Sequence, residues 1–427
     1  MTARECALRA LLRMERDGAY ASIVAQSEAR ALSDARDVRL ALSLVYGVCE
    51  RRITLDYIGG KLAKRQMKEL SPHARALLRL ALYQLFYMQR LPAYAVVSET
   101  VSLARQKGER AFLNAVLRRA AEDTDVSHHL PPREKDELRY LSVSESVPLP
   151  LLRLLWTELG EAQTRDFLSA INAPPYLTLR VNTQKTDRDT LTALLTEAGY
   201  DACQTQESPF GICVSGAAAV TELPHYEDGW FFVQDESSQL AVLALAPEKG
   251  MRVLDTCACP GGKTFSALCM MQGIGNVCAH DLHESKLSLI ASSAVRLGFT
   301  LAELSARDAS LPLPRKELGA YDCVICDVPC SGLGVLGKKP DLRHKDLTDI
   351  EKLPELQARI LENAATAVKA GGRLLYATCT VLSRENGEVV SAFLAENTDF
   401  TLKAERLLLP TKTRDGFYYA VLEKRNG

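Results

Sequence analysis

The chain has 427 residues, 47% hydrophobic and 25% charged; this excludes a mainly disordered protein and predicts two or three domains, because single cores stop growing at about 250–300 residues. No apolar run approaches the roughly 18 residues of a membrane helix, and Arg4, Glu5, Arg9 and Arg13 interrupt any secretory stretch, so a cytoplasmic protein with twelve reduced cysteines is expected. The net charge of −1 hides a balance of +10 over residues 1–120 and −11 over the rest; a basic module facing a polyanion is one reading, an arginine-rich solvated surface the other.

Residues 1–120 read as helices almost throughout. Ala7, Leu8, Leu11, Leu12 and Met14 recur at helical spacing, as do Val38, Leu42, Val45, Tyr46 and Cys49. Ser71-Pro72 is a start signal, a hydroxyl cap followed by proline at the first helical position, for a helix ending near Pro92. Ser98 is expected to cap another helix, and a last one carries Phe112, Leu113, Val116 and Leu117 inside and Arg118 and Arg119 at its end. Val45-Tyr46-Gly47-Val48, the helix from Ser71 to Leu91, and Phe112 to Arg119 resemble the all-helical NusB domain. That resemblance implies RNA binding. Tyr83, Phe86, Tyr87 and Tyr94 are candidates for base stacking, although aromatics at helical spacing usually belong to a core.

Residues 123–137, with His128, His129, Pro131 and Pro132, have linker composition; the two histidines lack further ligands at useful spacing, so no metal is expected. From 138 to 225 a helix over Leu151–Leu159, an alternating strand over Tyr176–Asn182, a helix over Asp187–Ala198 and short strands near Gly211 and Gly229 predict a small α+β module. Arg180 and Asn182 fall on the polar positions of the alternating strand, which suits either solvent or a substrate phosphate.

From Gln234 onward strands and helices alternate, which predicts a mostly parallel, doubly wound α/β sheet. Val253-Leu254-Asp255 ends a strand; Cys257-Ala258-Cys259-Pro260-Gly261-Gly262-Lys263 makes a tight turn, and a helix opens at Thr264. Glycines let backbone approach a ligand, and the helix start offers unpaired N–H groups. In such sheets ligands bind beyond the carboxyl ends of the strands. Those ends carry Asp255, Asp281, Asp308, Asp327 and Cys379. Asp281 lies 20 residues beyond Gly261, the distance at which an acid meets ribose hydroxyls in nucleotide-binding units. Carboxylates would repel a pyrophosphate and suit a sulfonium cation. Cys330 and Cys379, at strand ends, can be nucleophiles. Mid-strand Cys323 and Cys326 point to opposite faces and cannot share a zinc ion.

Asp327-Val-Pro-Cys330-Ser-Gly, Thr378-Cys379-Thr380 and Val253 to Thr264 resemble the Nol1/Nop2/Sun (NOP2/Sun, RsmB/NOP) family of RNA (cytosine-5) methyltransferases, as do Arg180-Val-Asn182, Gln234 to Gln239, Lys339 to Leu342 and Gly416 to Tyr419. With the NusB-like N-terminus, the chain resembles the branch acting on small-subunit (16S) ribosomal RNA. The resemblance implies a helical RNA-binding domain at 1–125, an RNA-contacting module at 138–225, and a Rossmann-like S-adenosylmethionine-dependent catalytic domain at 226–427. It assigns Cys379 as the nucleophile adding to cytosine C6, Cys330 as the group promoting release, and Asp327 as a contact to the N3/N4 edge. Lys263, Arg180 and Lys338-Lys339 become candidate base or phosphate contacts. The cofactor site would comprise Cys257 to Lys263, Asp281, Asp308 and Asp327. Ribosomal RNA is the implied partner, with no metal or membrane, and a monomer is expected. Valine at 328, cysteine at 259 and threonine at 380 depart from the family's usual alanine, alanine and serine without removing a functional group. A tRNA cytosine-5 methyltransferase, or an RNA-binding factor with an inactive methylase domain, are the alternatives.

Overall fold

The first helix, α1 (Ala3–Asp17), begins and ends on local chemistry: Thr2 and Glu5 cap each other's amides, and Gly18 closes the helix at φ +64°. The computed structural model describes residues 1–426 except Gln89, Pro175, Ala217 and Ala218. It divides into two units, residues 1–172 with 338–345, and residues 173–337 with 346–427. Among the described residues no helix is long and apolar enough to cross a membrane.

The first unit continues with α2 (Ala21–Ala29), α3 (Ala35–Glu50), α4 (Arg52–Ala63), α5 (Pro72–Tyr87), α6 (Ala93–Ser102), α7 (Lys107–Glu122), α8 (Glu137–Ser144) and α9 (Leu149–Asn172). Helix α5 starts as its sequence dictates, with Ser71 Oγ accepting from the Ala74 amide, and its Leu77, Leu78 and Leu82 are wholly buried against Leu44, Leu55, Ile58 and Leu113. Ser98 does not cap a helix. It lies inside α6, which opens after Pro92, whose fixed φ presets the start. Residues 123–137 are more ordered than their composition suggests: Val126–His129 form a 3-10 turn, with buried His129 contacting the Asp123 carbonyl at 3.0 Å and His128 the Asp123 carboxylate. Of the candidate stacking aromatics, Phe86 is core and Tyr83 stacks on Tyr87, while Tyr94 is exposed.

The segment 338–345 packs within this helical unit. Asp341 Oδ2 accepts from the Ala21 amide at the start of α2. Arg343 is almost wholly buried: Nη1 reaches the Glu50 and Glu145 carbonyls at 3.3 Å and Asn172 Oδ1 at 2.9 Å, and Nη2 the Ile171 carbonyl at 2.9 Å. These acceptors lie at the carboxyl ends of α3, α8 and α9, where helices leave carbonyls unpaired and partially negative. Arg343→Met is therefore expected to cost about 3 kcal/mol, because it leaves several buried acceptors without a donor. Urea titration checks this, and a loss below about 0.5 kcal/mol would contradict it.

The second unit opens with β1 (Leu177–Val181), α10 (Arg188–Glu197), β2 (Asp201–Gln204), β3 (Gly211–Ser215) and β4 (Phe231–Val233). The strands form an antiparallel sheet in the order β2-β3-β1-β4. Leu179, Val181, Ile212 and Val214 pack on Leu191 and Leu195 of α10. Arg180 and Asn182, on the other face, are not solvated. Both are fully buried, Arg180 lying 4.6 Å over the Phe210 ring and Asn182 Nδ2 donating to the Gly229 and Leu297 carbonyls.

Beyond these come α11 (Glu236–Leu245), β5 (Arg252–Asp255), α12 (Gly262–Met270), β6 (Asn276–Asp281), α13 (Glu284–Leu297), β7 (Glu303–Ala306), β8 (Tyr321–Asp327), α14 (Leu353–Ala367), β9 (Val368–Thr378), α15 (Gly387–Glu396), β10 (Phe400–Leu408) and β11 (Phe417–Lys424). The sheet order is β10-β11-β9-β8-β5-β6-β7; β9 through β7 run parallel, and β11 and β10 add an antiparallel edge. Separate apolar layers cover the two faces, with Cys323 in one and Cys326 in the other.

Candidate active site

Strand β5 is where this sheet reverses direction: the chain proceeds outward through β6 and β7, then returns to β8 on the other side. A crevice opens beyond the carboxyl ends at such a point. Cys330 follows β8 after Val328-Pro329, and Cys379 follows β9 directly. Their sulfurs stand 3.3 Å apart, and the Cys379 amide donates to Cys330 Sγ at 3.3 Å. The hydrogen bond with Cys379, then burial and the nearby Glu385 carboxylate, push the Cys330 thiol well above the ordinary thiol range. Cys330 therefore holds its proton at neutral pH and can donate it to Cys379.

A second pair stands at the ends of β8 and β5. Lys263 Nζ, nearly buried in the first turn of α12, meets Asp327 Oδ2 at 2.6 Å and lies 4.9 Å over the Phe417 ring. Gly261 at φ +107° makes the turn possible; a Cβ there would strike the Phe265 ring at 2.5 and 2.8 Å. Helix α12 has no side-chain cap, so its first amides are available to a ligand.

The remaining acids serve differently. Asp281 Oδ2 accepts from the Cys259 amide and Oδ1 from the His283 amide, so its carboxylate is fixed beside the turn. Asp255 is fully buried behind the turn, bound to Thr264 Oγ1 at 2.7 Å; burial pushes its carboxyl up to about 7. Asp308, two residues past β7, is held below the usual carboxylate range by the Ser310 hydroxyl and amide. Together with Thr256, His280 and Asn363 it lines a cavity of about 210 Å³. Cys257 is partly buried against the apolar layer under the sheet, and burial raises its thiol, as it does that of Cys259. Ala258 is buried, and its amide donates to the His280 carbonyl.

Sequence reasoning missed what holds the two thiols. Glu385, fully buried, accepts from the Ser331 amide at 2.8 Å and from Gln357 Nε2 at 2.9 Å, while Gln357 also donates to the Pro329 carbonyl. Asn386 binds Thr378 Oγ1 and the Thr380 carbonyl, and the Ser331 and Thr380 hydroxyls meet at 2.7 Å. Both cysteine loops are thus tied to one short segment, 383–386, whose only sequence signal is acid-amide polarity beside an apolar strand.

This sheet order and site, behind an α+β module and a helical domain, define a Rossmann-like methyltransferase. Three family models match in the same order: the NusB family over residues 1–122, the ferredoxin-like domain of RsmF/B-like methyltransferases over 148–221, and 16S rRNA methyltransferase RsmB/F over 242–423. The chain is 37% identical to ribosomal RNA small subunit methyltransferase B of Pseudomonas putida, over 92% of this chain and 91% of that one. It is 34% identical to the probable ribosomal RNA small subunit methyltransferase B of Bacillus subtilis, over 96% and 92%. The solved structure of PH0851 superposes with a TM-score of 0.81 at 25% identity, covering 98% of both chains. The chain belongs to the RsmB/F family of 16S ribosomal RNA methyltransferases.

Proposed function

We propose that this enzyme transfers the methyl group of S-adenosylmethionine to C5 of a cytidine in 16S ribosomal RNA, in the cytoplasm, through a transient bond between Cys379 Sγ and cytosine C6. The observation that carries the reading is the 3.3 Å approach of Cys330 and Cys379 at the switch point of the sheet.

The residues present fit the cofactor. The uncapped start of α12 suits its carboxylate, the fixed Asp281 carboxylate its ribose hydroxyls, and the cavity beside Asp308 its base, while the surrounding acids favour a cation over a phosphate. When bound, S-adenosylmethionine supplies an electrophilic methyl group on a sulfonium.

Cytosine C5 is too weak a nucleophile to take that methyl group unaided. The Cys379 thiolate adds to C6, and the ring's electrons move toward N3, where the Lys263–Asp327 pair meets the developing charge and delivers a proton. C5 then carries the enamine electron density to which a bound S-adenosylmethionine would yield its methyl group, its sulfonium leaving as a neutral thioether. Once its sulfur is bonded to carbon, Cys379 no longer raises the Cys330 thiol; Cys330 releases its proton to solvent and, as thiolate, takes the C5 proton. The C6–S bond breaks as the C5–C6 double bond re-forms and N3 gives its proton back to the Lys263–Asp327 pair, returning Cys379 as thiolate. A base buried in folded RNA must leave its stack to reach the thiols.

Transfer of tritium from methyl-labelled cofactor to 16S ribosomal RNA, with bisulfite sequencing of the product, tests the reading. A single protected cytidine is expected; RNA binding without label incorporation would sink it.

A further inference from the structure

One cavity is unrelated to the thiols. In the helical unit a cleft of about 660 Å³ opens between the starts of α5 and α7, within the size range of small-ligand sites. Its floor is apolar, from Leu12, Leu70 and Phe112, and its walls carry Arg65, Arg105 and His73. Arg65 lies 5.5 Å over the Phe112 ring. Among the described residues no carboxylate comes within ion-pair distance of exposed Arg65, Arg105 or the adjoining Lys107, although Arg105 lies near enough to Glu109 to help hold its carboxyl below the usual range. The one acid lining the cleft is already engaged: Glu109 accepts from the Arg105 amide at 2.7 Å and meets His73 Nδ1 at 3.0 Å. Gln106 provides no side-chain cap to α7, so the cations stand beside unpaired backbone N–H groups.

An apolar floor with an aromatic ring, rimmed by unpaired guanidinium groups, is the pattern that receives an unstacked nucleotide: sugar or base below, phosphate above. It lies within the stretch, residues 1–120, that carries the chain's excess of positive charge. We propose that this cleft binds a single-stranded nucleotide of the RNA substrate, its phosphate held by Arg65 and Arg105, at a site distinct from the one that receives the methylated base. The inference rests on the reading of the chain as an RNA methyltransferase.

The test uses the full-length protein with Arg65→Glu and Arg105→Glu together, beside a control, Arg30→Glu with Arg36→Glu, that makes the same charge change at exposed positions outside the cleft. Filter binding to a 16S ribosomal RNA transcript is expected to weaken about tenfold or more in the cleft variant and by far less in the control. The slope of log affinity against log salt should fall by about 0.7, one single-stranded phosphate contact. In methyl transfer the cleft variant should raise KM for RNA at unchanged kcat. Uridine monophosphate and inorganic phosphate serve as competitors: displacement of RNA from the cleft by either at micromolar concentration would mark a free-nucleotide or phosphate site and overturn the proposal. So would equal affinity and salt slope in cleft variant and wild type. Because RNA binding is read without methyl transfer, a wild-type protein that binds RNA yet transfers nothing would defeat the functional reading and leave this one standing.

Discussion

Replacing Cys379 with alanine is expected to reduce methyl transfer by at least about a thousandfold and to leave no covalent protein–RNA complex, since on the proposed route its thiolate opens the attack on C6. Replacing Cys330 with alanine should stop turnover differently. Addition and methylation would proceed, but the C5 proton would have no acceptor, and protein joined to RNA should accumulate as a species that survives denaturing electrophoresis. The opposite results follow from the two roles proposed for sulfurs that share one site at 3.3 Å, where Cys379 and burial hold the Cys330 thiol protonated. If Cys379→Ala trapped RNA and Cys330→Ala did not, the two roles would be exchanged. If neither did, a covalent route would be excluded.

The second large effect concerns the cation beside the acid. Lys263→Met leaves Asp327 without its partner at 2.6 Å and removes the positive charge that, on the proposed route, meets electron flow toward N3. A loss of about 10² to 10³ in kcat is expected, the size seen when one preorganised charge-stabilising group is lost. Adduct formation in a Cys330→Ala background should slow by the same factor, because addition at C6 is itself the step affected. Circular dichroism should be unchanged, since Met retains the contact with Phe417. A kcat within about threefold of wild type would remove Lys263 from the chemistry.

Much of this architecture was legible in the sequence because its signals are local. Hydroxyl caps, a proline at a helix start and apolar spacing produced α5; a strand, glycine turn and helix produced β5 and α12. The strand-end rule brought out both cysteines, Asp327 and Asp281, because a parallel sheet aligns its carboxyl ends whatever lies between. Three things escaped. Ser98 looked like a cap, yet Pro92 opens the helix earlier. Arg180 alternates as an exposed residue would, but a second layer of structure covers that face of the sheet. Glu385 and Arg343 are charged residues whose partners lie far away along the chain, Ile171 being 172 positions from Arg343. Local pattern cannot announce a burial that only tertiary contact creates.

The eight residues lodged among the helices come from between the two thiols in the chain. No single cut of the polypeptide therefore yields two pieces that each keep all their internal partners. A fragment beginning at residue 173 would carry Arg343 stripped of every acceptor it now serves, and one ending at 172 would lack the guanidinium that closes three of its helices. Attempts to dissect the protein into helical and catalytic halves should find both less sturdy than the whole, and co-expression of the two fragments should restore what either has lost.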